Sequence, residues 1–431
     1  MILNFIAFYQ LAYLSKQIFI KEKTINNNQS LYKNKNLVTI LLATTLRGYN
    51  LGFLGVFLGI YLYYLGLSNL QFGIALSCFT LSGAISNLFV YFFKNILSRK
   101  ISLIIMTLSA TISGIMLMYT DNYYMILIAA IFSIGSITGG DRTGISSIEI
   151  PIISKLVEPK NQTYAYSVYN FLPMISKIIG TSILIIIPVL RSITSLQTKS
   201  IYFILLTIYT LINTIQTSTY IFLNKEIESI NYEKAKIIST SGSDSKLILI
   251  ITSLFAIDSF GGGFIARSFI SFWLIKSFSL NEGILSIIFI LAQILNGISL
   301  ILAPKIAKKI GILNTMILSQ IIANSIIVVA ALSTNWIIAS ILYLIKEAFN
   351  DLDIPTRQAF MMNIVSEQNQ TQMASISNLG RTGAHTFSPG VAGYVSSIFG
   401  INLSLVFGGA IKIIYALILL RFKSITFKKY N

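Results

Sequence analysis

The sequence predicts an all-α integral membrane protein with twelve transmembrane helices in two pseudo-symmetric six-helix bundles. Three observations carry this. Of 431 residues, 54% are hydrophobic and only 11% charged, against about 25% charged in an average soluble domain; mean hydropathy is +0.75. Twelve stretches approach the roughly 20 mostly apolar residues that a bilayer crossing requires. Residue matches also recur between the two halves at offsets of 208 and 210 positions. Such a composition excludes a water-soluble enzyme, a disordered chain and a nucleic-acid-binding domain, although the net charge is +17. Cys78 and His385 are the sole residues of their types, so neither an internal disulfide nor a multi-histidine metal site is expected, and no cofactor is implied.

The spans are read at 37–65, 70–93, 101–119, 122–150, 164–190, 200–223, 247–275, 281–303, 312–332, 336–357, 372–398 and 401–421. Short breaks rich in Asn, Gly, Ser, Lys or Pro separate them. Residues 1–36 form an N-terminal segment. Its apolar stretch 2–14 is short and lacks a basic start, which argues against a signal peptide. The polar stretch 224–246 follows span six and reads as a linker between bundles 37–223 and 247–421; 422–431 is a tail.

Basic residues orient the chain. Twenty-one lie on the side of the N-terminal segment, the linker and the tail. Three, Arg191, Lys199 and Lys276, lie on the other. Positive charge collects on the cytoplasmic side, so both termini are expected there in a multi-pass protein of the cell membrane.

The repeat is legible residue by residue. Leu70-Gln71-Phe72-Gly73-Ile74 opens span two and Leu280-Asn281-Glu282-Gly283-Ile284 opens span eight. Asn161-Gln162-Thr163 opens span five and Asn369-Gln370-Thr371 opens span eleven. Ser167 and Asn170 match Ser375 and Asn378. Such parallel six-helix repeats occur in secondary transporters.

Over residues 37–421 the chain resembles the major facilitator superfamily. The loop after span two keeps the basic pair Arg99-Lys100 of that family's signature. Its counterpart is Lys308-Lys309-Ile310-Gly311, and Ser388-Pro389-Gly390-Val391-Ala392-Gly393 lies on span eleven. The resemblance implies a cavity between the halves, lined by spans one, four, seven and ten. It further implies a secondary active transporter that moves a small organic solute by alternating access. Proton coupling is expected, with export as the leading direction. Import of a sugar or organic anion is the alternative, and a non-transporting sensor on the same scaffold a third reading. The expected partners are a solute, the bilayer and protons, with no nucleic acid, and the chain is expected to act as a monomer without enzymatic activity.

A charge at mid-bilayer costs about 2.5–3.5 kcal/mol on insertion scales, so embedded charges are candidate functional groups. Spans one, four, seven and ten carry most of them. Arg47 and Asp258 sit at similar depth on spans one and seven, which suggests an ion pair across the halves. Lys346 and Glu347 lie mid-way along span ten with Asp351 one turn on, and Asp258 and Glu347 are the candidate proton carriers. Lys177 on span five matches His385 on span eleven, with Arg381 one turn earlier; this group is the candidate anion site. Arg142 and Glu149 on span four, and Asp353 and Arg357 on span ten, are read as gating groups at the inner mouth. Glu149 is aligned with Asp353, because each precedes Ile-Pro.

Overall fold

The computed structural model describes residues 34–93, 96–133, 143–224, 227–228, 242–366 and 369–426. Within them the chain makes twelve helical passages. Span one is Lys35–Tyr64, span two Asn69–Phe93 and span three Arg99–Tyr119. Span four is two segments, Tyr123–Phe132 and Gly144–Leu156. Span five runs as Pro159–Ser182, a short 3-10 turn and Ile186–Ile193; span six is Thr198–Ile221. Span seven comprises Gly242–Phe264 and Arg267–Phe278, and span eight is Glu282–Ile310. Span nine is Ile312–Leu332, span ten Trp336–Asn350 plus Asp353–Asn363, span eleven Gln370–Phe399 and span twelve Ile401–Thr426.

Local chemistry sets these limits. The side chains of Asn34, Ser98, Asn122, Asn281 and Asn335 accept bonds from the first free backbone N–H groups of spans one, three, four, eight and ten, as N-caps do. Gly311 and Gly400, with φ of 88° and 87°, end spans eight and eleven. Ser98→Ala is expected to lower stability by about 1 kcal/mol, read from denaturant unfolding in detergent; an unchanged midpoint excludes the cap.

Among the described residues, nine helices are long and apolar enough to cross a membrane. The described helical segments of spans four and ten are each too short to count, and span eleven carries polar residues such as Arg381 and His385 along its length. Span three shows how the helices meet lipid. Ile101, Ile105, Leu108, Ile112 and Ile115 face outward, whereas Ser102, Thr107, Thr111, Ser113 and Gly114 are buried. Small and hydroxylated residues let helices approach in lipid, where apolar side chains gain nothing from being inside.

The apolar core is divided unevenly. At the end remote from the linker one core draws on both halves, including Phe57, Phe72, Phe272, Trp273 and Phe289. At the linker end there are two: one built from residues 37–227 and another from residues 248–419. The halves are thus joined at one end and separately packed at the other.

Three close contacts make the join. Ser268 and Ser271 of span seven donate to the carbonyls of Gly55 and Val56 at 2.9 and 3.0 Å. The Asn69 amide donates to Ser396 O at 2.8 Å and Gly390 N–H to Ser77 Oγ at 2.8 Å, tying span two to span eleven. Spans five and six meet span eight: Arg191 pairs with Glu282 at 2.8 Å, Tyr202 of span six donates to the same carboxylate, and Gln293 donates to Thr181 Oγ1. Glu282 is a joining residue that the sequence reading passed over; its place at a span end looks like an ordinary helix start.

The repeat persists in the geometry. Gln162 donates to Ser154 O at 2.7 Å and Gln370 to Met362 O at 3.0 Å, each reaching back eight residues. Thr181 donates to Gly52 O and Ser388 to Phe260 O, so span five packs on span one as span eleven packs on span seven.

Candidate functional site

Arg47 and Asp258 do not pair with each other; each finds its partner inside its own half. Arg47 Nη2 lies 2.6 Å from Glu149 Oε2. Tyr169 and Tyr220 donate their hydroxyls to the same carboxylate at 2.8 and 2.6 Å, and Arg47 also donates to Thr44 Oγ1. Glu149 is fully buried. This cluster fastens the second segment of span four to spans one, five and six. In the other half, Asp258 meets Arg357 at 3.0 Å and Lys412 at 2.8 Å, and Arg357 also meets Asp353 at 3.0 Å.

The two clusters are counterparts. Glu149 and Arg357 are 208 positions apart, the offset of the Asn-Gln-Thr match, and Arg47 and Asp258 are 211 apart. The repeat therefore keeps an ion pair between its first and fourth helices and reverses its polarity. This corrects two expectations. Arg47 and Asp258 lie at equal depth as repeat equivalents rather than as partners, and a pseudo-twofold axis turns each toward its own bundle. Glu149 corresponds to Arg357 without the gap that aligning it with Asp353 needs. Arg142 lies outside the described residues.

The ionisable residues of the second half surround a cavity of about 210 Å³. Its wall includes Asp258, Lys346, Glu347, Asp351, Asp353, Arg357, Arg381 and His385, all named from sequence, and also Arg267 and Lys412. Lys346 pairs with Glu347 at 2.6 Å, and Arg381 donates to Ser259 Oγ at 3.3 Å. Asn296 and Gln320 add neutral polar groups. Among the described residues the wall comes only from the second half. Arg47, Glu149 and Lys177 are not part of it, which departs from the expectation that spans one and four share the lining. Lys177 lies on span five, its backbone packed on Gly52 of span one.

Two helix breaks build this wall. Ile265 and Ala266 interrupt span seven; Asp351 and Leu352 interrupt span ten. All but Leu352 line the cavity, beside Arg267 and Asp353. A helix break leaves backbone groups without intrahelical partners, which in lipid is tolerated only where protein or a polar cavity satisfies them. Asp353, read as a gate, sits at the restart of span ten and braces Arg357 one turn on. Lys412 is one of the charges embedded in the spans, but sequence assigns it no role, because the neighbouring sequence of span twelve holds no acid to suggest a partner.

At the linker end, Glu228 receives the Arg99 and Lys100 backbone N–H groups at 2.8 and 3.0 Å. Lys100 Nζ in turn donates to the last carbonyls of span six. The basic pair thus clasps the start of the linker, an acid at a helix N-terminus and a lysine at a C-terminus, each matched to the local dipole.

Comparison with known proteins agrees with this architecture. Residues 40–349 match the family model of the Major Facilitator Superfamily. The uncharacterized membrane protein YJR124C of Saccharomyces cerevisiae is 22% identical over 72% of this chain and 76% of its own. Among solved structures, the nucleoside transporter NupG (D323A mutant) superposes with a TM-score of 0.70 at 14% identity, covering 89% of this chain and 99% of its own. A D-xylose-proton symporter gives 0.70 at 14%, over 90% and 98%. A bacterial homolog of the human lysosomal transporter Spinster, inward-facing and occupied, gives 0.69 at 13%, over 93% and 98%. At these identities the likeness to the solved structures is one of fold. The chain is a multi-pass membrane protein and belongs to the Major Facilitator Superfamily.

Proposed function

We propose that the chain is a secondary transporter that carries a small, polar organic solute across the cell membrane by alternating access, with both termini in the cytoplasm. The observation that carries this reading is the cavity, walled by ionised side chains and helix breaks inside a bundle otherwise made of apolar helices. Intramembrane ionisable groups mark substrate and ion pathways. The single core at the remote end and the two separate cores at the linker end are those of a carrier open toward the linker side. Among the described residues the wall contains no Phe, Tyr or Trp, which favours a hydrophilic solute over an amphipathic one. The nucleoside and xylose carriers of the same fold have hydrophilic cargo by name.

Proton coupling is assigned to Asp258 or Glu347. Each is ionised against a base of the wall, and protonation releases Arg357 and Lys412, or Lys346, to rearrange. In proteoliposomes the protein is expected to give saturable flux with counterflow for one member of a labelled panel of sugars, organic anions, amino acids and cationic dyes. A pH gradient is expected to raise that flux. Asp258→Asn or Glu347→Gln is expected to abolish the response to the gradient and leave counterflow. Gradient-driven flux unchanged in both variants removes the assignment, and non-saturating flux removes the carrier.

A further inference from the structure

The cavity wall holds an acid, Asp351, and a base, Arg267, outside its internal ion pairs, while Arg381 donates to Ser259. Asp258, Glu347 and Asp353 each have a base within 3.0 Å. Among the described residues, Arg267 makes no ion pair within 4.0 Å, and Asp351 accepts only the Asn350 amide, at 2.7 Å. Both line the cavity.

Their positions reinforce their charges. Arg267 is the first residue of the twelve-residue segment Arg267–Phe278, and its N-cap, Ala266, offers no side-chain acceptor. The first-turn N–H groups of that segment add positive potential beside the guanidinium. Asp351 is the C-cap of the fifteen-residue segment Trp336–Asn350, where the last carbonyls add negative potential. One cavity therefore carries a positive and a negative pole, each made of a side chain and a helix end. A monoanion matches the first pole and leaves Asp351 facing it uncompensated, and a cation does the reverse. A neutral solute can replace water's hydrogen bonds at both poles but compensates neither charge. A zwitterion matches both.

We propose that this cavity binds a zwitterionic solute of the amino-acid class, its carboxylate on Arg267 and its ammonium on Asp351. The remaining wall clusters, Lys346–Glu347 and Asp258–Asp353–Arg357–Lys412, each hold as many acids as bases and stay in place, and Arg381 adds one further positive charge. A cavity of about 210 Å³ is on the scale of one amino acid. The inference names the cargo of the transporter reading above, and its test reads binding separately from movement.

The test is the thermal stability of the detergent-solubilised protein in the presence of the twenty protein amino acids, one at a time. For each stabilising amino acid the same compound is tested without its amine and without its carboxylate. At least one amino acid is expected to raise Tm, and each truncated analogue to bind at least ten-fold more weakly. Arg267→Ala is expected to lose the amino acid while still binding the amine that lacks a carboxylate, and Arg267→Lys to restore part of the affinity. Asp351→Asn is expected to lose the amino acid as well. The unliganded Tm of each variant reports folding, and Arg267→Lys keeps the test informative where Arg267→Ala unfolds. The proposal is overturned if no amino acid stabilises the protein, if a truncated analogue binds as tightly as its parent, or if Arg267→Ala or Asp351→Asn binds as the wild type does. An amino acid that binds but never crosses proteoliposomes sinks the transporter reading and spares this one. Saturable flux of another solute with no amino-acid binding does the opposite.

Discussion

Glu149→Leu is expected to destabilise the protein by about 3–5 kcal/mol, the scale of a buried pair broken on one side. The carboxylate holds Arg47 at 2.6 Å and accepts the hydroxyls of Tyr169 and Tyr220. Removing it takes from a guanidinium that is 6% exposed the carboxylate it meets at 2.6 Å, and from two hydroxyls the acceptor they share. The double variant Arg47→Met with Glu149→Leu is expected to recover most of the loss, because an apolar replacement of a whole buried pair is often neutral. Unfolding in mixed micelles measures both. A double variant as unstable as the single one would mean that the damage comes from packing rather than from the stranded charge.

Gly393→Val is expected to hold the remote end apart and to reduce transport at least ten-fold in protein that still folds. A Cβ at this position would lie 2.6 Å from Asn69 O and 2.7 Å from Gly73 Cα. Both are backbone atoms of span two, so no side chain can swing away to make room. Labelling gives a direct readout. With Cys78 replaced by Ser and a cysteine placed at Ser77, a membrane-impermeant maleimide added from the remote side is expected to react in Gly393→Val and not in its parent. Equal labelling in both proteins would show that the contact does not seal that end.

Much of this architecture is written in hydropathy. The spans, the repeat and the clustering of charge on spans seven and ten follow from run length, period and residue type, which a single sequence displays. The break in span ten does not, because hydropathy averages over backbone direction. Depth is also legible, at 1.5 Å per helical residue, but azimuth is not. Arg47 and Asp258 could be set at one level in the membrane from sequence, while the side toward which each points depends on how the bundle is wound. The same gap explains Lys177, whose match to His385 holds in sequence although only His385 reaches the cavity wall. Lys412 and Arg267 show the converse, since a charge with no partner nearby in sequence gives no hint of the distant acid or cavity that it faces.

The one-sided cavity divides labour between the repeats. With all of its described lining drawn from residues 258–412, the cavity of a carrier as proposed above would house recognition in one bundle and leave the other as the surface against which it rocks. Duplicated descendants of such a carrier can change diet through the second bundle alone. A chimaera that borrows its first bundle from a relative should keep its taste and alter only its tempo.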